Sequence, residues 1–252
     1  MYVFGIDERC IDAGGSQDQS FSWAQVSSVY KDWKLYVYSF IYLMGATALH
    51  GVTLFLPSII AGMGEWSDAQ SQALTTPPYI IAFFATIAVG RSSDHFFDRA
   101  YHMVVCNTVG ILGFLLLILM PQSNVGAHYA ASCLIVAAVY ANTPAKVAWF
   151  TNNFAGLTRR AIASATIVSV GLVGGIFSGQ VYFDPPAYRN GNTIVCCCVI
   201  AQTLAVLGLR FGLARENKRR SKLSAVEKEL DVQKYGSGEL VGDRHPDFRY
   251  VL

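Results

Sequence analysis

Lys146, a lysine inside an apolar stretch, is the side chain best placed to do chemistry in this sequence. It follows Asn142 by four positions and precedes Trp149 and Asn153 by three and seven. The series i, i+4, i+7, i+11 falls on one face of an α-helix. An ammonium, two amides and an indole in a row suit a polar cavity and do not suit lipid. Lys146 can offer a positive charge to an anionic ligand, with Asn142, Trp149 and Asn153 lining or supporting the same face. The alternative is that it snorkels to a nearby aqueous boundary. His50, with Thr47 and Thr53 within one turn, is the second candidate. An imidazole there can take up or release a proton near neutral pH, or it can simply tie two helices together through a hydrogen bond.

Other chemistries are not indicated. Cys196, Cys197 and Cys198 are consecutive, and successive side chains on a helix point about 100° apart, so they cannot close on one metal ion. The sequence has no H-E-x-x-H, G-x-S-x-G or P-loop pattern. No catalytic residue, metal ligand or cofactor is therefore expected, and the chain is not expected to be an enzyme. The net charge of +2 gives no reason to expect a nucleic-acid partner.

The elements that must position Lys146 and His50 are membrane helices. Of the residues, 53% are hydrophobic and only 14% charged, with a mean hydropathy of +0.36; soluble domains carry about 25% charged residues. The charges crowd into residues 1–34, short loops and the tail after Arg210. Apolar runs over about 35–60, 74–89, 103–120, 129–150, 161–182 and 193–213 are each close to the ~20 residues that cross a bilayer core. Pro144 is expected to interrupt the fourth run, freeing backbone carbonyls beside Lys146. No run alternates as a strand would. The fold class expected is an all-α, six-helix transmembrane bundle. Residues 1–34 form a polar cytoplasmic lead with an interfacial helix over 21–33, residues 35–213 the bundle, and residues 214–252 a charged, disordered cytoplasmic tail. The lead has no apolar signal core, so the first span is expected to act as the insertion signal.

The loops set the orientation. Lys31, Lys34, Arg91, Arg99, Arg159, Arg160 and the basic residues from Arg210 flank one side, while the alternate loops carry only Arg189. Positively charged flanks stay in the cytoplasm, so both termini are expected there. The loop at 90–99 sets Gly90, Asp94 and Arg99 in a tight turn in which Asp94 caps the next helix or pairs with an arginine. Gly171, Gly175 and Gly179 form a small-residue stripe at spacing four, suited to close helix packing.

Several motifs carry a resemblance: Leu54-Phe55-Leu56-Pro57-Ser58-Ile59-Ile60, Thr76-Pro77-Pro78-Tyr79, the 90–99 loop, Trp149-Phe150-Thr151-Asn152-Asn153-Phe154-Ala155-Gly156-Leu157-Thr158-Arg159-Arg160-Ala161 and Gly174-Gly175-Ile176. Over about residues 20–225 the chain resembles the C-terminal half of the fungal allantoate/nicotinate-type permeases. These belong to the anion:cation symporter family of the major facilitator superfamily (MFS). The resemblance implies transport of a small organic anion or vitamin-like solute, coupled to protons, across the plasma membrane. It also implies an N-terminal six-helix half, or a second chain, as partner within the lipid bilayer. His95 and Phe97 depart from the family's cytoplasmic loop pattern. A truncated product, a half-length chain that pairs with another, and a non-transporting protein acting through helix–helix association all remain open at this level.

Overall fold

The computed structural model describes residues 23–185, 188–235 and 242–252. The polar lead 1–22, with Phe21 of the expected interfacial helix, lies outside the described residues. The helices are α1 Trp23–Tyr30, α2 Trp33–Ala61, α3 Asp68–Ala73, α4 Thr76–Phe96, α5 Ala100–Leu119, α6 Val125–Asn153, α7 Leu157–Val181, α8 Arg189–Arg220 and α9 Ala225–Tyr235, followed by a 3-10 turn at Gly242–Arg244. Among the described residues, six segments are long and apolar enough to cross a membrane: α2, α3 with α4, α5, α6, α7 and α8. The chain is an all-α, six-span membrane bundle, as its composition requires.

Local chemistry sets the helix ends. Asp32 caps α2 by accepting from the Lys34 amide. Ser67 and Gln70 form a reciprocal capping box on α3. The Pro77–Pro78 pair opens α4, where missing amide protons cost nothing. Phe97, at φ 53°, ends α4 in the left-handed region.

The sequence-based boundaries need three corrections. Pro144 does not interrupt α6, which runs unbroken from Val125 to Asn153. Thr143 Oγ1 donates to the Val139 carbonyl at 3.0 Å in the turn that the proline weakens. Residues 90–96 are the last turns of α4 rather than a loop. The tail is not uniformly solvated either: α8 continues to Arg220, and residues 242–252 pack back against the bundle.

α2 lies against α7 and α8, α5 against α6 and α8, and α4 against α6. Two apolar clusters fill the interior. One, near the strap 242–252, includes Leu35, Tyr38, Met103, Trp149, Phe150 and Tyr250. The other, toward the opposite end, includes Val52, Leu56, Phe114, Ile135, Tyr182 and Val199. In the α3–α4 span only 11% of the apolar window is buried, so most of its apolar surface points outward. Ile80, Ile81, Phe83, Phe84 and Ile87 are all exposed there. Such a surface requires lipid or another membrane protein as its solvent.

Candidate functional site

Between the two apolar clusters lies a polar layer built from α2, α5, α6 and α8. Asn142 and Lys146 of α6 are buried within it. Asn142 Nδ2 donates to Asn107 Oδ1 on α5. Asn107 Nδ2 donates to Thr203 Oγ1 on α8 at 3.0 Å, and Thr203 donates onward to the Val199 carbonyl at 2.8 Å. Asn142 Oδ1 and Gln202 Nε2 have no hydrogen-bond partner among the described residues.

The Lys146 ammonium extends across this layer to α2. It lies 5.7 Å from the Tyr42 ring centroid, within cation–π range. Gly45 makes the room: a Cβ there would collide with Lys146 Nζ and lie 2.7 Å from Gln202 Nε2. A cavity of about 10 Å³ remains, lined by Gly45, Asn107, Asn142, Lys146 and Gln202 among others. That is room for about one water molecule. Among the described residues, no carboxylate lines it.

The other two residues of the α6 face do something different. Trp149 Nε1 donates to the Val251 carbonyl at 2.9 Å. Asn153 Nδ2 donates to the Tyr38 hydroxyl at 2.7 Å and to Val251 O at 2.9 Å, and its Oδ1 accepts from the Val251 amide at 2.8 Å. Both side chains anchor the C-terminal strap. The face is continuous, as its spacing requires, but it points into the bundle and is divided between a polar layer and an anchor. His50 joins neither part. It is half-buried, and its ring lies against Gly175 of α7.

The 90–99 segment forms its expected ion pair between Asp94 and Arg99. Arg99 Nη1 also donates to Ser93 Oγ at 3.0 Å. Asp98 performs the capping, accepting from the Tyr101 amide at 2.9 Å and pairing with Arg210 of α8 at 2.9 Å. A Cβ on Gly90 would meet nothing within 4 Å. In the glycine stripe, Gly171 packs on the Tyr42 ring, and an added Cβ at Gly174 would lie 2.7 Å from the Leu43 carbonyl. Gly175 touches His50, whereas Gly179 faces open space among the described residues. The close seam is therefore Gly171, Gly174 and Ser178, and Gly179 is not part of it.

Sequence reasoning missed the ionic cluster at the end of the bundle. Asp243 is fully buried and pairs with Lys34 of α2 and, at 2.8 Å, with Arg159 of α7. Lys34 also donates to the Tyr250 hydroxyl at 2.9 Å. Arg220 of α8 donates to the Asp243 carbonyl at 2.9 Å and to Tyr250 Oη at 3.1 Å. Burial would raise the Asp243 carboxyl, yet Lys34 and Arg159 beside it hold it below the usual carboxylate value. The signal for this cluster was the aromatic and apolar ending Phe248-Arg249-Tyr250-Val251-Leu252 on an otherwise charged tail.

Curated relatives are fungal transporters. An uncharacterized transporter of Schizosaccharomyces pombe is 32% identical over 98% of this chain and 48% of its own length. An MFS-type transporter of Penicillium expansum is 30% identical over 94% of this chain and 47% of its own. The high-affinity nicotinic acid transporter of Saccharomyces cerevisiae is 26% identical over 93% of this chain and 43% of its own. The chain thus spans about half the length of the curated relatives it matches. No family model matches the chain, and no solved structure matches it.

Proposed function

For a chain that corresponds to one six-helix half of the fungal MFS-type transporters, we propose the role of C-terminal wall in a proton-coupled permease for a small organic anion. Membrane transport is the function common to the relatives. The anionic solute is our inference, and one observation carries it: Lys146, an ammonium buried at mid-span with no carboxylate lining its cavity among the described residues.

Lys146 would not contact the solute in this conformation. Its cavity admits about one water, and its side chain points into the bundle. Its charge would act through α6, a distance of about 10 Å, one helix diameter. At an effective dielectric near 20, two unit charges at that distance interact by about 1.7 kcal/mol. That is roughly 10–20-fold in affinity, enough to favour an anion over a neutral analogue. The nicotinic acid transporter among the relatives is named for a solute of this class.

His50 is the proposed proton carrier, as a half-buried imidazole on the span that also holds Gly45. The partner would be an N-terminal six-helix half or a second chain, and the membrane the plasma membrane. Lys34, Arg99, Arg159 and Arg220 all meet the strap 242–252 or its immediate partners at one end of the bundle. That favours a cytoplasmic location for this end. The test is uptake of labelled nicotinate and other small carboxylates into cells expressing the chain, alone and with an N-terminal half from a homologous transporter. Uptake above the empty vector that a neutral amide analogue fails to compete supports the reading. No uptake in either arrangement, or equal uptake of the amide, sinks it.

A further inference from the structure

The strap 242–252 is held from two neighbouring helices, and the turn between them carries an exposed serine. On α8 the last turn does the holding. Arg220 is buried, and its guanidinium donates to the Asp243 carbonyl at 2.9 Å and to the His245 and Phe248 carbonyls and the Tyr250 hydroxyl at 3.1 Å each. Asn217 pairs with the Tyr250 backbone in both directions, its Nδ2 donating to the carbonyl at 2.8 Å and its Oδ1 accepting from the amide at 2.9 Å. On α9, Lys228 pairs with Asp247 at 2.6 Å. Ser221 is the C-cap of α8 and stands between these two attachments. Its hydroxyl donates to the Lys218 carbonyl at 2.9 Å, closing the turn that presents Asn217 and Arg220.

Ser221 lies in the run Lys218-Arg219-Arg220-Ser221-Lys222. Lys218 and Arg219, three and two positions before it, are exposed, as is Ser221 itself. Protein kinases choose their acceptors partly by the pattern of flanking charge. An exposed hydroxyl preceded by exposed cations suits a kinase with an acidic substrate groove. A helix end frays at little cost, which lets the segment enter such a groove. Ser224, the next hydroxyl along the chain, is placed differently. It caps the start of α9, donating to Glu227 Oε2 at 2.8 Å. A phosphate at a helix N-terminus is stabilising, whereas one at a C-terminus opposes the helix dipole.

Resting on the cytoplasmic placement given above for this end, we propose that Ser221 is a phosphorylation site for a kinase that reads basic residues before its acceptor, and that the phosphate releases the strap. The Ser221 oxygen attacks the γ-phosphorus of a nucleoside triphosphate. An O–P bond forms, the bond to the bridging oxygen breaks, the nucleoside diphosphate leaves, and the serine proton passes to the base of the kinase. The product lacks the hydroxyl proton that capped the Lys218 carbonyl. It carries about −1.5 to −2 charges where the last carbonyls of α8 already concentrate negative potential. It also stands beside Arg220 and competes with the strap for that guanidinium. The last turn of α8 loosens, and Asn217 and Arg220 let go of Tyr250 together.

The test uses the full chain in phosphatidylcholine nanodiscs, where no anionic headgroup competes for the basic run. It is incubated with ATP, magnesium and the catalytic subunit of cyclic-AMP-dependent protein kinase, then digested briefly with trypsin at neutral pH. Mass spectrometry should find phosphate on Ser221, lost in Ser221→Ala and kept in Ser224→Ala. Cleavage of the strap after Arg244 and Arg249 should rise about tenfold on phosphorylation, the worth of one lost capping hydrogen bond and an unfavourable charge at a helix end. Ser221→Ala should keep the strap protected with or without kinase, which shows that its fold is intact. Phosphate on Ser224 alone, phosphate on neither serine, or a phosphorylated Ser221 with the strap still protected overturns the proposal. Nanodiscs leave both ends of the bundle open, so orientation does not enter that result. Modification in nanodiscs, but not when kinase is added to sealed vesicles with their cytoplasmic face outward, would remove the cytoplasmic placement instead, and the proposal with it.

Discussion

In the proposed role, Lys146 would oppose stability while serving transport. A buried ammonium without a carboxylate partner is costly, because its desolvation is not offset by an opposite charge. Cation–π contact with Tyr42 and the nearby amides offset part of that cost. Lys146→Met should therefore melt at a temperature no lower than wild type, by thermal unfolding in detergent, since apolar replacement of a buried charge is often neutral or stabilising. The same variant should raise the KM for an anionic solute roughly 10–20-fold and leave uptake of a neutral analogue unchanged. A fall in both stability and neutral-solute uptake would mean that Lys146 is structural. The polar face holding Lys146 was legible from spacing alone, because helical geometry fixes which residues share a side. What that face touches was not legible. Trp149 and Asn153 bind a carbonyl about a hundred residues away, at Val251, and no local pattern encodes that. Gly45 was invisible for the same reason, since its value lies in the space it leaves for Lys146 and Gln202.

At the scale of elements, the pairing of α7 with α2 depends on small side chains. Apolar burial drives little association in lipid, so close backbone approach and van der Waals contact must supply the attraction. A stripe read at spacing four selected Gly171, Gly175 and Gly179, whereas the seam follows Gly171, Gly174 and Ser178. Spacings of three and then four keep to one side of a helix that repeats every 3.6 residues, while repeated fours drift off it. Gly174→Val should cost at least 1–3 kcal/mol, the usual range for overpacking, because it would press on the Leu43 backbone carbonyl, which cannot rotate away. Gly179→Val should change little, having open space before it among the described residues. Thermal unfolding of the two variants side by side checks this. Equal losses would mean that the stripe runs at spacing four after all. Pro144 makes a related point about elements: a proline marks a weakened turn, but the packed neighbours of α6 keep that helix continuous.

At the scale of the whole molecule, the strap at 242–252 gathers helix ends that are far apart in sequence. Asp243 joins α2 to α7 through Lys34 and Arg159, Arg220 ties in α8, Asn153 ties in α6, and Arg99 before α5 donates its amide to the Leu252 oxygen at 2.6 Å. A bundle fastened this way at one end should move as a single body, as rocking between two halves requires. Composition could not reveal the strap, because counting charges over a tail does not show that one aspartate is destined for a buried basic pocket. Asp243→Asn should cost about 3 kcal/mol by leaving the buried Lys34 and Arg159 with Asp32 as their remaining counter-charge, and should expose the strap to protease at neutral pH. Acid should have the same effect on the wild type, and the sign follows from the lowered carboxyl. A group whose folded value lies below its unfolded one stabilises fully above the unfolded value, about 3.9, and loses that contribution as pH falls through the folded value. Wild-type protection should therefore be flat from about pH 5 to 8 and fail only below roughly pH 4, while Asp243→Asn should be cleaved throughout. Strap cleavage of the wild type rising already between pH 7 and 5 would mean that a histidine, and not Asp243, holds it in place.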